Sequence, residues 1–223
     1  MKKLYFLPMI LVLCASAFPL ATHPHEITGE VTPLMRRMEL ILQLIEAKQD
    51  EKAFEETQRI TEDFSDEGQT ETQQGLKNTI ARVDRKFGTD IKRFLDEAFK
   101  KKDPVVLKKA LQSLALLLML EKFDVLEETF GKNNVNLDTQ RTIFWLGRNY
   151  FSFLLEPTLA KYDPAEELWL DRLLDRMLYR LEDGKWQEFI SIRKELVNRI
   201  TNYFKLPSSV LNATAYDGRP MAK

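Results

Sequence analysis

Cysteine is almost missing from this chain. The single residue, Cys14, lies in an apolar stretch close to the N-terminus. Downstream of it no disulfide, thiolate nucleophile or thiolate metal site can form. Histidine is nearly as scarce: His23 and His25 both precede the first patterned segment. No histidine acid–base pair or triad can therefore be built in the body of the chain. Glu-x-x-His pairs for a di-iron site, a Cys-x-x-Cys-His haem attachment, a Gly-rich phosphate loop and a His-Glu-x-x-His motif are all lacking. Glycine is sparse, with 8 residues in 223, and no β-branched runs alternate with period two, so a sheet has little to use. Nor does charge of one sign dominate. With 33 basic and 34 acidic residues the formal charge is −1, which argues against a nucleic-acid surface. Past the N-terminal stretch, no apolar run reaches the roughly 18 residues of a spanning helix.

What is present starts with a basic Lys2-Lys3, an apolar Leu4 to Cys14, and the small-x-small site Ala15-Ser16-Ala17. This pattern predicts a secretory signal over 1–17, followed by a flexible leader over 18–30. A lipid anchor on Cys14 would need a small residue where Leu13 stands. Losing Lys2 and Lys3 leaves 31 basic against 34 acidic residues, about −3. The expected location is the periplasm or the outside.

The rest reads as helices. Asp103 to Phe130 contains LALLLML, Leu114 to Leu120, seven apolar residues without a break. A surface helix needs a polar face, so this one is expected to be enclosed on all sides. Around it the 3/4 spacing predicts helices over Pro33 to about Lys48, Glu51–Phe64, Glu71–Phe87, Asp90–Lys101, Thr139 to about Lys161, Pro164–Glu182 and Lys185–Phe204. The first two are either a hairpin or one continuous helix. Thr32, Asp103, Asn136 or Asp138, and Asp163 are the expected caps, and Pro157 should kink or end its helix. The fold class is all-α: an antiparallel multi-helix bundle of about six to eight helices around a buried central helix, over 31–205, with a loose tail over 206–223. LIEAKQDEKAF and RLEDGKWQEF resemble each other as helical turns, but no fixed period connects them.

Candidate chemistry is thin. Arg141, Trp145 and Arg148 recur at spacings of 4 and 3 and share a helix face, with Tyr150, Phe151 and Tyr162 nearby. Guanidinium beside indole suits an anionic or aromatic ligand, although aromatics at this spacing also serve as core. Glu121 and Asp124 stand one turn apart beside the buried run, as an acid or cation-ligand pair or as the point where the helix meets water. His23-Pro24-His25-Glu26 could capture a transition metal, or be incidental to a leader with no second shell. The Lys100-Lys101-Lys102 run reads as a solvated helix end.

The segment from Tyr150 to Asp163, YFSFLLEPTLAKYD, resembles the helix–Pro–Asp segments of periplasmic helix-bundle modules linked to bacterial iron uptake. The resemblance covers 14 residues and implies a helical fold. The diagnostic metal ligands of those modules are not matched, so no site residue carries over. The expected function is an exported, non-enzymatic module that binds a partner protein or small ligand. That partner could be another periplasmic or membrane-associated protein. The alternatives are a metal- or haem-handling protein and a carboxylate-dependent hydrolase or lyase. No cofactor is required by the sequence.

Overall fold

A helix without a polar face is stable in water only if other helices surround it, and the fold is built on that requirement. The structure, a computed structural model, describes residues 31–65, 71–130 and 136–210. Nine helices lie within them: α1 (Pro33–Glu46), α2 (Asp50–Arg59), α3 (Leu76–Phe87), α4 (Ile91–Lys101), α5 (Pro104–Thr129), α6 (Leu137–Leu154), α7 (Glu156–Tyr162), α8 (Pro164–Glu182) and α9 (Trp186–Phe204). The chain is an all-α multi-helix bundle. Every residue from Ala110 to Leu120 in α5 is buried, Gln112 and Ser113 included. Helices α1, α2, α3, α4, α6 and α9 all pack on α5, and α8 packs on α6, α7 and α9.

The helix starts follow local chemistry. Side chains of Thr32, Asp103, Asn136 and Asp163 accept hydrogen bonds from first-turn amides of α1, α5, α6 and α8. Asn136, rather than Asp138, caps α6, which begins two residues before the expected Thr139. The amides opening α4 bond to a residue of the preceding helix: Asp84 accepts from Ile91 at 2.8 Å and Lys92 at 3.0 Å.

Nine helices result among the described residues, one beyond the expected six to eight, because Pro157 divides the segment expected over Thr139 to about Lys161. Lys48 adopts φ 59° and separates α1 from α2, so the hairpin and not the continuous helix is formed. Pro157 cannot donate to the ladder and its ring crowds the carbonyl four residues back. The ladder accordingly stops at Leu154, and Pro157 becomes the second residue of α7. The expected helix start at Glu71 is also too early, and the expected end of α2 at Phe64 too late. Phe64 and Gln73 instead form an isolated antiparallel bridge, at 3.0 and 2.6 Å. Gly75 then passes so near the segment following α2 that a Cβ would lie 2.1 Å from the Glu62 carbonyl oxygen. Amides of Leu76 and Lys77 bond the carbonyls of Ile60 and Thr61, so the open end of one helix satisfies the open start of the next. Of the expected tail, Leu206 and Val210 are buried, and the Ser209 hydroxyl donates to Asp90 at 2.5 Å.

The two look-alike turns share one geometry. At Ala47, Lys48 and Gln49 the amides bond carbonyls four, three and five residues back, and Asp183, Gly184 and Lys185 repeat those offsets. Lys102 and Lys205 also sit at positive φ with the same closing bonds. The likeness therefore belongs to a common left-handed helix stop, used at several ends, and not to a repeat.

The α5–α6 contact depends on Gly147. A Cβ there would meet the Phe123 ring at 2.7 Å. Phe123 is held between Phe144 (stacked, centroids 5.5 Å apart) and Phe189 (edge-on, 6.1 Å), so its ring has no room to retreat. Gly147→Ala is expected to cost about 1–3 kcal/mol in urea unfolding through overpacking. Lys48→Gly is expected to stabilise by roughly 0.5–1 kcal/mol, because glycine adopts the left-handed conformation without a Cβ penalty. A lower midpoint for Lys48→Gly would contradict this account of the turn.

Candidate functional site

The interruption at Leu155 lies beside a surface groove of about 390 Å³ between α1 and the α6–α7 junction. Leu42 and Ala47 from the α1 side, Phe153 and Leu154 from α6, and Pro157 from α7 supply its apolar lining. Glu39, Gln43, Glu46, Thr158 and Lys161 supply the polar part. Leu42 and Leu154 are buried and belong at once to the core and to the groove.

Two carboxylates of α1, Glu39 and Glu46, line the groove two turns apart, and their surroundings differ. Glu46 is engaged on both oxygens. Oε1 pairs with Lys108 of α5, and Oε2 accepts from Lys161 Nζ at 2.8 Å and the Tyr162 hydroxyl at 2.6 Å. The two ammonium groups also lie 5.9 and 4.8 Å from the Tyr162 ring centroid. Burial raises the Glu46 carboxyl, but the three donors outweigh it and bring the pKa down to about 2. Lys161 is held above the ordinary lysine range chiefly by its hydrogen bond to Glu46. Glu39 is different. Burial pushes its carboxyl above the usual range, and the charge of Arg36 opposes that rise. Gln43 Nε2 donates to Glu39 Oε1 at 3.0 Å. The groove therefore has one carboxylate fixed in the charged form and a second that is poorly solvated, with apolar side chains alongside.

The residues singled out from sequence lie elsewhere. Arg148 is buried, its guanidinium 5.0 Å from the Trp145 ring centroid. It pairs with Asp171 and, at 2.7 Å, with Asp175 of α8. Arg141 Nε donates to Glu182 at 2.7 Å, near the other end of α8. The shared face of α6 is thus a clamp on α8. Tyr150 is not part of it. Its hydroxyl is raised by burial and by the nearby Glu121, against Arg82 and a hydrogen bond with Thr32. Phe151 is core, and Tyr162 joins the Glu46 network. Glu121 pairs with Arg82, whereas Asp124 bonds Arg193 at 2.6 Å and lies 3.0 Å from Lys86, so the two acids serve different neighbours. Glu156, beside Pro157, is raised by burial; a Ser152 hydrogen bond opposes this and Asp171 and Glu167 add to it.

Among the described residues no group of three or more His, Cys, Asp or Glu is placed to hold a metal ion. His23, His25 and Glu26 lie outside the described residues. No described helix is long and apolar enough to cross a membrane. Neither family models, curated proteins nor solved structures match the chain.

Sequence reasoning missed Glu46 and the groove. The only signal was Pro157, which marked the break without showing what faces it. Glu46 has its pKa lowered on folding, so its contribution is present above the unfolded carboxyl range and disappears as pH falls from about 4.5 towards 2. Glu46→Gln is expected to lose about 1–2 kcal/mol at pH 7 relative to wild type. In urea unfolding followed across pH, that gap should narrow below about pH 4.5 and close only below about pH 2. A gap independent of pH would show that the carboxylate charge is not the cause.

Proposed function

We propose that the chain is an exported binding module, not an enzyme, and that it holds a small ligand with an apolar body in the groove between α1 and the α6–α7 junction. One observation carries this reading: the groove has an apolar lining with polar side chains along it, in the size range of small-molecule sites. The polar groups fit orientation better than chemistry. Glu46 is committed to Lys108, Lys161 and Tyr162, which rigidifies the wall and removes it from proton transfer. Among the described residues of the lining Thr158 carries the only hydroxyl, and none is histidine, cysteine or serine. Export rests on the N-terminal pattern of basic, apolar and small residues.

Binding of a neutral apolar fluorophore, N-phenyl-1-naphthylamine, tests the reading. Wild type is expected to enhance its emission in a saturable way. Gln43→Trp places an indole in the groove from an exposed position on α1, and should weaken the dye at least tenfold while leaving the helical circular dichroism unchanged. No saturable binding by wild type, or equal binding by the variant, would overturn the assignment.

A further inference from the structure

Helix α8 sorts its charges by side. Four of its five acids are paired with neighbouring helices: Glu166 is gripped by Arg199 of α9, Asp171 and Asp175 by Arg148, and Glu182 by Arg141. Its exposed side carries Arg172 and Arg176, which make no ion pair with any described residue. The same side exposes Leu168 (40%), Trp169 (46%) and Tyr179 (62%), three of the six large hydrophobic residues that stand out from the described surface. At about 100° per residue these five positions fall on one stripe, with Trp169 and Tyr179 about 15 Å apart along the axis. Trp169 is already oriented. The Arg199 guanidinium lies 4.9 Å from its ring centroid, and Glu166 fixes that guanidinium through two hydrogen bonds. A bound surface would not have to immobilise this indole again.

We propose that this outer face of α8 docks on an anionic phospholipid surface. Guanidinium groups pair with phosphate in a bidentate manner, and Trp and Tyr favour the depth of lipid headgroups. The face is the outer side of a single helix, and lipids can rearrange around such a row, whereas a stable protein interface buries roughly 800 Å² per partner. A second copy would bring Arg172 and Arg176 against the same cations. This proposal is independent of the groove, because none of the five residues lines it.

The test uses residues 18–223, which lack the apolar stretch Leu4 to Cys14. Vesicles of phosphatidylglycerol and phosphatidylcholine in equal parts are compared with pure phosphatidylcholine, by co-sedimentation at low salt. Wild type is expected to partition at least tenfold better onto the anionic vesicles, and to be released at high salt. The double variant Arg172→Gln/Arg176→Gln should weaken that partition roughly 30-fold. Trp169→Ala should also weaken it, with circular dichroism unchanged in both. Equal partition of wild type onto the two vesicle types, or a double variant as effective as wild type, would overturn the proposal. So would capture of polyglutamate without vesicle binding, which would assign the face to an acidic protein.

Discussion

The rest of the structure follows from one constraint: the middle of α5 has no face turned to water. Eleven successive buried residues make three turns that must be covered from every direction, and helices from both ends of the chain cover them. Burying each leucine there is worth about 1.5–3 kcal/mol, so the enclosure is the main source of cohesion. Charge appears where the cover ends. Lys108 meets Glu46 near the start of α5, and Glu121 and Asp124 meet Arg82 and Arg193 towards its other end. Exposed pairs within one helix, such as Lys92 with Asp96, add little stability. Better buried ones, such as Arg193 with Asp124, fix which helix lies beside which.

The difference between what could and could not be read from sequence is one of range. Thr32, Asp103, Asn136 and Asp163 cap their helices through bonds to residues two or three positions on, and such bonds are written locally. The seven-residue run Leu114 to Leu120 was equally direct, because its lack of polarity excludes every exposed placement. Pro157 announced a break for the same kind of reason. Lys48 was harder, because a lysine in left-handed conformation has no signature and the turn could have been read as helix.

Long-range choices were not written in the pattern. Arg141 and Arg148 were visible as a common face, but their partners lie 23 to 41 residues away on α8. That turns an apparent ligand face into a helix clamp. Gly75 and Gly147 look unremarkable in sequence. Their importance comes from the Glu62 carbonyl and the Phe123 ring, which only the assembled fold brings near. The groove is of this kind as well: its two walls come from α1 and from α6–α7, and its polar anchor Glu46 joins residues 62, 115 and 116 positions away.

Those separations also bear on the order of folding events. Short turns join α1 to α2 and α8 to α9, so these pairs can form early with little loop entropy to overcome. The contact of Glu46 with Lys161 and Tyr162 of α7 closes over half the chain and gains nothing until α1 and the α6–α7 segment have come together. Weakening it should therefore be felt on the unfolding limb of a chevron and hardly at all on the folding limb. A residue that lines the groove would then also set how long the completed bundle survives before it opens.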